Sequence, residues 1–228
     1  MTALFWILMT IALYRGALWL QRKLGSSPIA NPVLLSMAGV IAVIEVSDGN
    51  YANYLESTEI LHGLLGTATV ALAIPLHRQL RQFRHSLGPI LFSITIGSLC
   101  ATTSTLAFCL WLDAPQIITL SLAPKTATSP VAMEISRLLG GLPPLTAVVV
   151  ILTGIIGAMI GPAVIRRAGV RGDQAVAISI GTAASGIGTA SVLQRDLTMG
   201  AYAGFAMGVT ALTTTLFAPL LIAVVPWF

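Results

Sequence analysis

Leu122-Ala123-Pro124-Lys125-Thr126-Ala127-Thr128-Ser129-Pro130 lies in the middle of an apolar stretch, residues 115–139, that is about as long as a membrane span. Two prolines flanking a Lys-Thr-Ala-Thr-Ser run cannot sit in an unbroken helix, because each lacks a backbone donor and crowds the preceding turn. A second stretch of similar length, residues 172–193, is interrupted by Gly181-Thr182-Ala183-Ala184-Ser185-Gly186-Ile187-Gly188-Thr189. Irregular backbone at membrane depth is tolerated only where protein buries it or where it lines a watery cavity. Both segments therefore predict helices broken inside a membrane protein, with the breaks turned toward protein or a cavity.

The rest of the chain agrees. Of its 228 residues, 56% are hydrophobic and 9% charged, against about 25% charged in a soluble domain. The composition predicts an all-α polytopic membrane protein with about six full spans, at roughly 3–20, 31–46, 60–76, 87–112, 145–165 and 199–225, plus the two broken segments. Residues 1–86 read as scaffold-like spans and 87–228 as a transport-core-like region of the same membrane domain. The first apolar run has no small-residue cleavage site and ends in Arg22-Lys23, so it reads as a span. Asn31-Pro32 reads as the cap and first turn of the second.

Basic residues set the expected orientation. Arg22 and Lys23 follow the first span, and Arg78, Arg81 and Arg84 the third; Asp48, Glu56 and Glu59 fall between the second and third. The N-terminus is expected outside and the basic clusters in the cytoplasm, with the C-terminus also outside. The broken segments can cross the membrane or dip in and return. The re-entrant arrangement puts Arg166, Arg167 and Arg171 inside and Arg137 outside, and the basic residues favour it modestly.

Thr126-Ala127-Thr128-Ser129 and Thr182-Ala183-Ala184-Ser185 match at three of four positions, each at a break. Small residues also serve helix packing, so the letters alone leave chance open. Paired interruptions in two halves are the best sequence pointer to a secondary transporter's site, and they suggest an inverted repeat. A half-helix starting at a break offers unpaired N–H groups and the positive end of its dipole, which suits an anion. The expected site is a hydroxyl-lined midplane pocket built from Lys125, Thr126, Thr128, Ser129, Thr182, Ser185 and Thr189. Intramembrane charges read as functional. Lys125 can supply the positive charge, or can tie down loop carbonyls. Glu134 can couple a proton or cation, or can pair with Arg137 at i+3.

His62, His77 and His85 do not cluster and read as interfacial, as do Asp113, Asp173 and Asp196. Cys100 and Cys109 show neither metal-ligand spacing nor a disulfide framework. No Ser/His/Asp order, HExxH or phosphate loop is present, so neither catalysis, a cofactor nor a metal is expected, beyond a coupling proton or sodium ion. The net charge of +4 lies in short clusters between spans and does not suggest nucleic acid. Gly154, Gly157 and Gly161 share one face of the span between the breaks and predict close helix packing there.

The chain resembles the LrgB/CidB family of bacterial membrane proteins. The resemblance is carried by Leu122-Ala123-Pro124-Lys125-Thr126, Pro130-Val131-Ala132-Met133-Glu134-Ile135-Ser136, Gly140-Gly141, Leu145-Thr146-Ala147, Thr153-Gly154-Ile155, Gly181-Thr182-Ala183, Ile187-Gly188-Thr189-Ala190 and Ala206-Met207. Upstream, Asn31-Pro32 and the run from Ala68-Thr69 to Pro75-Leu76 extend it over nearly the whole chain. Two departures stand out. Ser185-Gly186 fills the stretch where the family usually has a histidine, which leaves a proton relay there without its side chain, and Thr67 replaces a usual proline. The resemblance implies a bacterial inner-membrane location and two functions. One is transport of small mono- or hydroxycarboxylates such as glycolate, glycerate, pyruvate or lactate, as in the related plastid glycolate/glycerate translocator. The other is antiholin-like regulation of murein hydrolase export and autolysis. It implies a separate, small holin-like partner of the LrgA/CidA type. A homodimer is expected from the symmetry common among homo-oligomers.

Overall fold

The computed structural model describes residues 3–24, 32–47, 50–61, 63–64, 67 and 87–225. Among them every helix or strand assigned is an α-helix: α1 (Ala3–Lys23), α2 (Pro32–Val46), α3 (Tyr51–Ser57), α4 (Leu87–Trp111), α5 (Gln116–Leu122), α6 (Ser129–Leu139), α7 (Pro143–Arg167), α8 (Asp173–Leu193) and α9 (Leu197–Val224). Five of these, α1, α4, α7, α8 and α9, are long and apolar enough to cross a membrane. Most of the expected third span, with His62, and the basic loop after it lie outside the described residues, as does the expected cap Asn31. The described residues form two compact units, Met1–Ala71 and Leu72–Phe228.

In the first unit, α1 packs on α2 and α3. Gly39 of α2 lies against Leu13, where an added Cβ would stand 3.2 Å from Cδ2. The sequence reading treats residues 47–59 as a loop, yet α3 forms there. The Asn50 side chain caps it by accepting from Ala52 N–H at 2.8 Å. Tyr54 then meets Trp6 edge to face at 5.4 Å and Thr10 Oγ1 at 3.2 Å. The cue was local: a capping Asn followed by an aromatic pair, too short to give a periodic pattern.

In the second unit both broken segments fold back on themselves. After α5 the chain makes tight turns, with Lys125 N–H donating to Leu122 O and Ala127 N–H to Pro124 O. Thr128 then takes an extended conformation, and α6 starts with Pro130 in its first turn. Gly140, at φ 84, closes α6. Gly140 N–H donates to Arg137 O and Gly141 N–H to Ser136 O, the Schellman pairing. Beyond it, Leu142 N–H donates to Ser121 Oγ at 2.7 Å, and Thr146 Oγ1 donates to Ser121 O at 2.9 Å. An 11-residue helix rises about 16 Å. Had α6 continued the direction of α5, Leu142 could not reach Ser121. Residues 116–142 are therefore a re-entrant hairpin.

The second reversal is sharper. Ser185 breaks α8 with φ 48 and ψ −136, the corner geometry of a tight turn that glycine usually occupies. A Cβ on Gly188 would stand 2.9 Å from Ile180 Cγ2 and 3.1 Å from Ile180 O. Residues eight apart in a straight helix lie about 12 Å apart. The two arms of α8 thus lie side by side, and the question of crossing versus returning resolves to returning for both segments. Length and composition alone would make α8 a span; it is a second hairpin.

α7 runs between the hairpins and serves as a ruler. Thr146 meets the first hairpin near its mouth, and Val150 shares a buried cluster with Ala127 at its tip and Ala132 one turn into α6. Gly154 and Gly157 pack on Ala184, beside the second tip, and Gly161 on Ile180 further along that arm. The expected glycine face is there, and what it admits is the second hairpin. α9 closes the other flank: Gly181 crosses it so closely that a Cβ would overlap Ala203 O.

Candidate functional site

The two hairpin tips meet. Ser185 Oγ donates to Ala127 O at 3.2 Å, linking residues 58 apart in sequence. Ser185, Ala127 and Thr126 are all buried. The contact lies level with Val150–Gly157 of α7, near the middle of that 25-residue helix. Thr189 supports the turn from its own arm, donating from Oγ1 to Ser185 O at 2.8 Å. Thr126 meets Thr214 Oγ1 of α9 at 3.3 Å, and Thr214 meets Ser98 Oγ of α4 at 3.1 Å. A hydroxyl seam thus ties the first tip to α9 and α4.

Of the residues expected at the site, Thr126, Ser185 and Thr189 come together at this junction. Thr128 and Ser129 form the N-terminus of α6 and are half-buried. Thr128 makes no side-chain cap, and neither hydroxyl has a hydrogen-bond partner among the described residues. Pro130 has no N–H to offer, so Ser129 and Val131 carry the unpaired donors of that turn. Thr182 faces elsewhere. Its hydroxyl bonds Ile178 O at 2.9 Å, and its methyl meets the Gly97 position of α4.

Lys125 extends the first tip sideways. It lines a cavity of about 500 Å³ with Cys109, Leu112 and Ala114 at the end of α4 and Val149 and Thr153 of α7. Leu112 and Ala114 lie at the α4–α5 connection, while Thr153 lies well down α7. The cavity therefore runs from one end of the bundle toward its middle. No hydrogen bond or ion pair engages the Lys125 ammonium among the described residues, so it does not tie down loop carbonyls. Glu134 lies apart from the junction, on an exposed face of α6, and accepts a two-pronged contact from Arg137, with Nε–Oε2 at 2.9 Å. That is the i+3 pairing its spacing allowed.

A second cavity, about 470 Å³, opens at the other end, between the C-terminal turns of α7 and the mouth of the second hairpin. It is lined in part by Arg166, Arg171 and Arg195. Among the described residues no group of His, Cys, Asp and Glu could hold a metal ion.

Sequence reading missed Ser98, Thr214 and Thr210. Thr210 is fully buried on α9, and its hydroxyl has no hydrogen-bond partner among the described residues. Serine and threonine in membrane helices ordinarily bond their own i−4 carbonyl, as Thr105 does to Ala101 O at 2.7 Å. Nothing in the letters separates those from the ones that turn inward. The usable signal was Thr210 and Thr214 recurring one turn apart on one face of α9.

Three comparisons bear on kinship. The LrgB-like family matches residues 10–224. An uncharacterized protein of Haemophilus influenzae is 30% identical over 213 residues, covering 92% of each chain. The protein YwbG of Bacillus subtilis is 30% identical over 217 residues, covering 95% of this chain and 96% of its own. The holin-like protein CidB of Staphylococcus aureus is 28% identical over 220 residues, covering 96% of each. No solved structure matches. With the family match spanning nearly its full length, this multi-pass membrane protein belongs to the LrgB-like family.

Proposed function

We propose that the chain is a secondary transporter of small mono- or hydroxycarboxylates in the bacterial cytoplasmic membrane, with both termini outside, working with a small holin-like membrane partner. The observation that carries this reading is the tip-to-tip contact of two re-entrant hairpins at Ser185 and Ala127. Paired broken helices meeting near the midplane suit alternating access around a fixed site. The junction is held by neutral hydrogen bonds worth about 0.6 kcal/mol each in membrane proteins, so it can part without a large barrier. Lys125, with no hydrogen-bond or ion-pair partner among the described residues, offers a carboxylate a charge at the inner end of a cavity. Thr128 and Ser129 offer it hydroxyls and a helix N-terminus.

Uptake of labelled glycolate, glycerate, pyruvate and lactate into proteoliposomes tests the reading, with a proton or sodium gradient, and with and without the partner. A charge-assisted contact contributes about 1.5–3 kcal/mol. Lys125→Ala is therefore expected to lower uptake roughly tenfold or more while insertion and yield stay normal. Normal uptake by that variant would sink the Lys125 assignment.

A second reading is regulation of murein hydrolase export and autolysis together with a holin-like partner. It is favoured by the name of the Staphylococcus aureus relatives, and on kinship alone it is the better supported of the two. It needs apolar surface for assembly but no polar midplane junction. Deletion that changes autolysis, with no uptake of any of the four acids under any gradient, would favour it. A change in carboxylate flux can itself alter lysis, so both measurements belong on the same strain.

A further inference from the structure

Basic residues at helix ends are what membrane orientation demands. Their convergence on one hollow is a separate matter. Arg166 comes from the last turn of α7, Arg171 from the connection that follows, and Arg195 from the turn between α8 and α9; all three line the 470 Å³ cavity. Its floor is apolar, with Ile180 and Val192 each 4% exposed. Those two residues belong to opposite arms of the second hairpin, so the hollow enters between the arms on the side away from their tip. Among the described residues none of the three guanidinium groups has an ion-pair or hydrogen-bond partner. Asp173 also lines the cavity, leaving an excess of positive charge.

We propose that Arg166, Arg171 and Arg195 form an oxyanion-binding site at the mouth of the second hairpin. Its ligand carries a carboxylate or phosphate head on a small apolar body. The guanidinium fork matches either head with two parallel hydrogen bonds, and the Ile180–Val192 floor takes the apolar part. The site is distinct from the Lys125 cavity, and the inference does not depend on the transport reading. Its ligand can come from two sources: a soluble carboxylate entering the hairpin from that side, or the headgroup of an anionic lipid.

Thermal unfolding of the purified, delipidated full chain in neutral detergent tests it. Sodium pyruvate, sodium phosphate and short-chain phosphatidylglycerol are the probes. Sodium chloride at matched ionic strength and phosphatidylcholine are the controls. At least one probe should raise the unfolding temperature above its control, and Arg171→Gln/Arg195→Gln should lose that rise. Asp173→Asn removes the one opposing charge, so it should reach the half-maximal rise at several-fold lower concentration; this keeps the test decisive if the double variant folds poorly. A rise with pyruvate or phosphate alone supports a soluble ligand. A rise with phosphatidylglycerol alone supports a lipid headgroup, and a rise with both supports a site open to either. No rise with any probe, or a rise retained in the double variant together with no change in Asp173→Asn, overturns the proposal.

Discussion

At Ser185 the chain accepts a backbone conformation that an L side chain rarely adopts. Such strain costs on the order of 1–3 kcal/mol and persists where the surroundings over-determine it. Here the second tip must reverse while keeping a hydroxyl to reach Ala127 O. Glycine would relieve the strain and forfeit the contact. Ser185→Gly is therefore expected to stay within about 1 kcal/mol of the parent in stability, whereas the β-branched Ser185→Val should lose roughly 2 kcal/mol or more. Reversible unfolding in mixed micelles measures both, and equal stability of the two variants would contradict the strained corner. Thr214 makes a second residue-scale case. Thr214→Val leaves Ser98 and Thr126 each without the partner that joins them. A loss of about 1–3 kcal/mol is expected in the same assay. Little of this was legible in the sequence. Letters placed Ser185 at a break, but only geometry reveals that its φ is positive, that Thr126 looks to α9, and that Thr182 looks away.

At the scale of elements, hairpin packing rests on glycines whose neighbours differ sharply. A side chain at Gly181 would overlap Ala203 O of α9, while one at Gly186 would meet nothing nearer than Met207 Sδ at 3.9 Å. Gly181→Ala should reduce the yield of folded, monodisperse protein, and Gly186→Ala should not. Size-exclusion profiles at matched expression read the difference; identical profiles would contradict the close crossing. The element pattern was largely legible. The Pro124–Pro130 interruption, the small-residue run around Ser185 and the Gly154–Gly157–Gly161 face all mark real features. What letters could not decide was whether a broken segment continues or returns, because that choice rests on contacts between residues far apart, such as Leu142 with Ser121. The short α3 escaped for the opposite reason: 7 residues are too few for helical periodicity to stand out.

For the molecule as a whole, returning hairpins make a topological prediction that crossing segments would reverse. With Cys100 and Cys109 replaced by alanine, single cysteines at Gln116 and Leu142 should react with an impermeant maleimide from one membrane face. Cysteines at Gln174 and Gln194 should react from the other. Alternation within either pair would contradict the fold. The expected orientation assigns the first pair to the outside. The tips of both hairpins meet at Ala127 and Ser185, and the proposed transport requires them to part. The most direct test is a Cys100→Ala/Cys109→Ala chain carrying Ala127→Cys and Ser185→Cys. Mild oxidation should join the two positions within one chain, carboxylate uptake should stop when they are joined, and reduction should restore it. Absence of the cross-link would contradict the tip contact, and uptake undiminished by a complete cross-link would contradict its part in transport.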